Sequence, residues 1–246
     1  MPHTQHGTMP CNWRATVLYI LMRVWASVLM PPCYPLQCSC PLQFCCMSTL
    51  PPENFAPVPL DKAYRLLNHG PTVLVSAAFE GHANVMAAAW SCPLDFKPPK
   101  VTVVIDKATR TRALVESSGF FVLNVPCKAV AALTLAVGSH SAVDMPDKLE
   151  RIGVQLCYPT AGGPPCVEGC VGWLVCKVIP EPHNQATYDL FIGEVTAAYA
   201  DPRVFSGGRW HFEGQPDDLR TLHYVAGGQF YLTGPSLQVQ DTGLKP

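Results

Sequence analysis

Charge is scarce in this chain. Asp, Glu, Lys and Arg make up 14% of its 246 residues and nearly cancel, leaving a formal net charge of −1. No block of Lys and Arg offers counter-charge to a phosphate backbone, so no nucleic acid partner is expected. With 48% hydrophobic residues, the same scarcity argues against disorder. There is no Gly-rich dinucleotide loop and no regular strand-helix alternation, which argues against a doubly wound sheet. Among the 12 cysteines no Cys-x2-Cys pair is matched by a second Cys or His pair at zinc spacing, so no metal is expected.

Half of those cysteines lie in a front segment unlike the rest: Cys11, Cys33, Cys38, Cys40, Cys45 and Cys46. Residues 16–30 are apolar apart from Arg23, and Pro31 and Pro32 stop the run. It is short for a bilayer span, which takes roughly 20 residues. A signal peptide is one reading, although no clean small-residue cleavage site follows, and a membrane anchor or a disordered tail are others. The favoured reading is a misassigned start, with residues 1–46 an unstructured or non-native extension, Met47 the true first residue and 47–246 the domain. The remaining cysteines, Cys92, Cys127, Cys157, Cys166, Cys170 and Cys176, read as free thiols in a reducing, cytoplasmic compartment.

From residue 47 onward the pattern is mostly β. A helix is expected over 61–68, ended by His69-Gly70-Pro71. Residues 72–78 and 83–90 read as a hairpin about Glu80-Gly81, and 101–105 as a strand after a break at Pro98-Pro99. A short helix over 111–118 is closed by Gly119, and a strand follows at 120–125. Residues 129–137 and 147–152 read as helices, 167–180 as a long strand and 189–198 as its partner. Residues 220–233 form a closing hairpin about Gly227-Gly228. Many strands with scattered short helices point to a β-barrel with helical decoration.

Two segments carry the chemistry. Gly81-His82-Ala83-Asn84-Val85-Met86-Ala87-Ala88-Ala89-Trp90 is small and nearly uncharged, so a flat ligand could lie against its backbone and be read by main-chain groups. Lys107-Ala108-Thr109-Arg110-Thr111 offers two hydroxyls and two cations, which suits a phosphate. Thr111, at the start of a predicted helix, sits where a phosphate would meet free N–H groups, or is simply the cap. Read alone, Asn84 equally serves a turn, Trp90 fills a core and Lys148 lies on the surface. Cys170 and Cys176, at even spacing on one predicted strand, would share a face; packing is the plainer reading and a redox disulfide the sharper one.

The order Asn84-x-Met86-x3-Trp90, Pro98-Pro99, Thr111, Phe121-Val122-Leu123-Asn124-Val125-Pro126, Asp147-Lys148 and Phe191-Ile192-Gly193-Glu194-Val195 resembles the flavin reductase-like, FMN-binding split-barrel family, and its flavoredoxin-like branch most. The resemblance spans roughly 60–235. It implies a mainly β fold with short helices, a six-stranded Greek-key split barrel, a homodimer, and FMN reduced by NADH or NADPH. A partner monooxygenase or redox protein is also implied. Asn84, Val85, Met86, Ala87, Ala88 and Trp90 would line the ring. Lys107, Thr109, Thr111 and Lys148 would face the phosphate. Tyr188 stands where relatives often carry His, and Phe230 matches a late aromatic. Ala87 stands where many members have Thr, which removes one hydroxyl contact. No catalytic side chain is expected, because the cofactors carry the redox chemistry. An NAD(P)H:flavin reductase, an electron-transfer flavoprotein and a non-catalytic flavin binder all remain open.

Overall fold

The structure, a computed structural model, describes residues 53–63 and 72–240, with the side chain of Ala226 excepted. The expectations for residues 1–46, for Met47 and for the second half of the helix over 61–68 fall outside these residues. The elements run β1 (Ala56–Pro57), α1 (Leu60–Ala63), β2 (Val73–Phe79), β3 (His82–Ala88), β4 (Ser91–Phe96), β5 (Pro99–Val104), α2 (Arg110–Ser118) and β6 (Phe120–Val125). After a 3-10 turn at Lys128–Val130 come α3 (Ala131–Ser139), α4 (Lys148–Ile152), β7 (Leu156–Cys157), β8 (Cys166–Val167), β9 (Gly172–Ile179), α5 (Pro182–Tyr188) and β10 (Leu190–Ala200). The small hairpins β11 (Phe205–Ser206) with β12 (Arg209–Trp210), and β13 (Leu222–Ala226) with β14 (Gln229–Leu232), complete the described chain.

The main sheet runs β3-β2-β6-β9-β10-β5-β4, with every pairing antiparallel. β10 is long enough to pair with β5 through Leu190 to Glu194 and with β1 at Tyr199 and Ala200, on one edge. The two outermost strands, β3 and β4, are joined by only Ala89 and Trp90. This short link ties the two ends of the sheet at a seam, where the Val104 amide donates to the Trp90 carbonyl at 3.0 Å and carries the β4–β5 pairing into the link. This is the split barrel, with β2, β3, β5, β6, β9 and β10 as its six strands and β4 and β1 added at the margin.

Alternation along the strands builds two cores. Val73, Val75 and Ala77 of β2, Phe121, Leu123 and Val125 of β6, and Leu174 and Cys176 of β9 share one cluster, the barrel interior. The intervening Leu74, Val122 and Trp173 join a second cluster on the outer face. Successive side chains point to opposite faces, so strands covered on both sides read as unbroken apolar runs. Asn124 pins the outer layer. Its Nδ2 donates to the Leu74 carbonyl and to Ser76 Oγ, each at 2.9 Å, and its Oδ1 accepts from the Val167 amide at 2.7 Å.

Two expectations change. The strand over 167–180 is two strands, because Gly169 at φ 83° turns the chain before β9 begins. That turn breaks the alternation, so Cys170 and Cys176 do not share a face: Cys170 packs with Trp173 outside, Cys176 in the barrel interior. The break expected at Pro98-Pro99 is the turn of the β4–β5 hairpin, made by Lys97 and Pro98, and Pro99 already belongs to β5, opposite Phe96.

Candidate functional site

A cavity of about 470 Å³ opens at the seam of the barrel. One wall is the end of β3 and the link beyond it: Met86, Ala87, Ala88, Ala89 and Trp90. Facing it is α3, through Thr134, Leu135, Gly138 and Ser139. The helix lies so close that a Cβ added at Gly138 would sit 3.0 Å from the Ala87 Cβ. Val104, Asp106, Tyr188 and Asp189 form the third side, and Thr72, Tyr224 and Phe230 close it. Trp90 is 75% and Tyr188 60% exposed, so large aromatic faces stand at the mouth.

Beyond the cavity the chain passes from Asp106 into α2. Thr109 is the helix cap: its Oγ1 accepts from the Arg112 amide at 3.3 Å and donates to the Asp106 carbonyl at 2.8 Å. The amides of Arg110 and Thr111 have no acceptor within the helix. No acid stands in its first turn, while Lys107 and Arg110 lie exposed beside it. Asp106 stands on the entering turn, its Oδ1 accepting from the Ala108 amide at 2.7 Å, but the first turn itself is flanked by two cations, which suits an anion arriving from outside. Thr111 is one turn position further in and fully buried, where its Oγ1 accepts from Asn84 Nδ2 at 2.9 Å. Asn84 Oδ1 is buried with no partner among the described residues. The pair ties β3 to α2, one wall of the cavity to the helix end.

Lys148 lies elsewhere than the sequence suggested. It is 2% exposed, and its Nζ donates to the Val85 and Val137 carbonyls at 2.9 and 2.8 Å. It clamps β3 to α3 from behind the wall and does not line the cavity. Burial lowers its pKa to about 8. No carboxylate bonds it among the described residues.

Of the twelve residues expected at the site, Met86, Ala87, Ala88, Trp90, Tyr188 and Phe230 line the cavity. Asn84, Val85, Thr111 and Lys148 sit behind its wall, and Lys107 and Thr109 at the helix end. The sequence reading missed the whole α3 side and Asp106, Asp189 and Tyr224. The one available signal for α3 was its small-residue face, Ala131, Thr134 and Gly138, at helical spacing.

The small-residue wall, the aromatic mouth, a helix with no acid in its first turn and the partnerless Asn84 Oδ1 fit a flat ring carrying polar substituents and a phosphate. This barrel and site define a class, and the chain belongs to it: the flavin reductase like domain family, whose family model matches residues 65–226. YddH of Escherichia coli, an uncharacterised protein, is 44% identical over 185 residues, covering 74% of this chain and 96% of YddH. A crystal structure described as an FMN-binding domain of a flavin reductases-like enzyme, from Shewanella baltica, is 57% identical with a TM-score of 0.75, covering 76% of this chain and 98% of that one. Flavoredoxin of Desulfovibrio vulgaris shares the fold at 22% identity, with a TM-score of 0.56 over 71% of this chain and 92% of its own.

Proposed function

We propose that this chain binds FMN at the barrel seam and is an NAD(P)H-dependent flavin reductase, able to supply a monooxygenase or another redox protein. The observation that carries the reading is the junction of two features: a cavity walled by Met86 to Ala89, and a helix N-terminus with cations where acids would ordinarily stand. FMN when bound supplies a ring that accepts a hydride and releases electrons. The chain's own residues bind and orient it. Ala87 and Ala88 let the ring approach the backbone, Trp90, Tyr188 and Phe230 offer aromatic faces, and Asn84 holds the wall to α2 from behind through Thr111. Lys107 and Thr109 take the phosphate at the start of α2, Thr111 anchors that helix end from its buried place behind them, and Lys148 supports them as a buried charge behind β3.

A second reading is an electron carrier fed by a protein donor, and the exposed rings of Trp90 and Tyr188 at the mouth favour it. The homodimer belongs to the same proposal. Trp90, Leu94 and Phe96 expose apolar surface along the marginal strand β4, a surface suited to a second copy. Free, buried thiols at Cys127, Cys157, Cys166, Cys170 and Cys176 support a reducing, cytoplasmic setting. Residues 47–246 are taken as the functional unit.

The test is an absorbance spectrum of the purified protein before and after NADH or NADPH is added without oxygen. Flavin bands that bleach support the reductase, and bands that persist support the carrier. A colourless protein that takes up no FMN overturns both.

A further inference from the structure

We propose that Arg112 is a positioning residue for this site: it locks the wall formed by Tyr188 and Asp189 to the turn 106–111, so that the two move as one piece. The proposal rests on the reading of the cavity as the place where the ring and the second substrate meet.

Arg112 stands in the first turn of α2, with only 10% of its side chain exposed. Its guanidinium gathers acceptors from three separate pieces of chain. Nε donates to Glu116 Oε1 at 2.8 Å, on its own helix. One terminal nitrogen donates to the Ile105 carbonyl at 3.3 Å, just after β5, and also to Asp189 Oδ1. The other donates to the Gln185 carbonyl at 2.8 Å, inside α5. The carbon of the guanidinium lies 5.2 Å from the centre of the Phe191 ring. Burial opposes the charge, yet the bonds to Glu116 and Asp189 leave the group above its ordinary pKa.

What it holds is a corner of the cavity. Asp189 ends α5 in a left-handed conformation, φ 54°, with its amide bonded back to Asn184. Its carbonyl accepts from the Ile105 amide at 2.9 Å. Tyr188 and Asp189 line the cavity on one side of this joint, and Asp106 on the other. Thr109 and Thr111 lie within three residues of Arg112 on the turn that meets the phosphate. Only a planar fork can reach a carboxylate and two backbone carbonyls at once; a lysine keeps the charge and loses the geometry. Release of Arg112 frees the Asp189 carboxylate and the last turn of α5 together, without opening any strand pairing of the barrel.

The test compares the full chain with Arg112→Lys and Asp189→Asn. Asn tolerates the left-handed corner, so the second variant removes the ion pair and keeps the turn. Amide hydrogen exchange is measured without cofactor. Exchange over residues 182–190 and 105–111 is expected to rise about tenfold in both variants, with β9 unchanged. In steady-state turnover of the FMN-loaded protein, Arg112→Lys is expected to raise KM for the nicotinamide nucleotide about tenfold with kcat changed by less than about threefold. Tyr188→Ala added to Arg112→Lys is expected to give no more than the larger single effect, because both act through one wall. Unchanged exchange over 182–190, or a rise shared equally by β9, overturns the proposal, as do effects that multiply. A wild-type protein that binds no FMN would sink the reductase reading alone, and the exchange measurement would still decide the role of Arg112.

Discussion

Lys148 shows what a single buried charge does to this protein. Its folded pKa of about 8 lies below the ordinary lysine value of about 10.4, so between those values the unfolded chain holds more protons than the folded one. By linkage, stability contributed at this residue is lowest below pH 8 and rises as pH climbs toward 10.4. Unfolding free energies of wild type and Lys148→Met are expected to shift relative to each other, in favour of wild type, by about 2 kcal/mol between pH 7.5 and pH 10. A difference that stays flat would mean the ammonium is not desolvated. At this scale the sequence spoke unevenly. Asn84 and Thr111 are each visible as polar residues in telling places, but their bond crosses 27 positions and emerges only when β3 is laid against α2. Lys148 reads as a surface lysine because nothing local reveals that Val85 and Val137 carbonyls surround it.

At the scale of elements, the contact of α3 with β3 sets the width of the cavity. Gly138→Ala puts a methyl 3.0 Å from the Ala87 Cβ, so the helix must back away by a few tenths of an ångström. The same change favours the helix by roughly 0.5–1 kcal/mol, which offsets the strain. The expected outcome is a melting temperature within about 4 °C of wild type, checked by calorimetry, together with weaker FMN binding by titration. Affinity retained with an unchanged melting temperature would show that the wall yields freely. Elements with strong apolar patterns, β2, β3, β5, β6 and β10, were legible in the sequence, and so was α2 with Gly119 at φ 72° closing it. β4 was not, because Pro93 and Asp95 interrupt its alternation and a register shift lies between them. α5 was not, because Pro182-His183-Asn184-Gln185-Ala186-Thr187-Tyr188 carries no apolar face and is held by Arg112 from outside.

For the molecule as a whole, the buried thiols set an alkaline limit. Burial raises the pKa of Cys127, Cys157, Cys166, Cys170 and Cys176, with Cys157 pushed up to about 12. Their contribution to stability is full below the unfolded thiol pKa of about 8.5 and is lost as pH rises toward the folded values. One unit above 8.5, each of Cys157, Cys166, Cys170 and Cys176 costs about 1.4 kcal/mol, and together they outweigh the opposite gain of about 2 kcal/mol at Lys148. Denaturation under reducing conditions is therefore expected to become markedly easier between pH 8.5 and 10, and a Cys176→Ala variant to show a shallower decline. A pH-independent midpoint over that range would contradict the burial of these groups.

The order of strands also bears on how the chain is made. β4 and β5 leave the ribosome early as a hairpin, yet the free edge of β5 is covered only by β10, where Val103 meets Phe191. β2 likewise waits for β6, where Leu74 meets Asn124. Contacts so distant in sequence delay folding, since the intervening loop must close before any of them forms. Through most of its synthesis the nascent chain thus carries unpaired strand edges rich in valine. β10, the last strand of the main sheet to appear, turns a set of sticky hairpins into a barrel, and the need for chaperone protection falls away once it is in place.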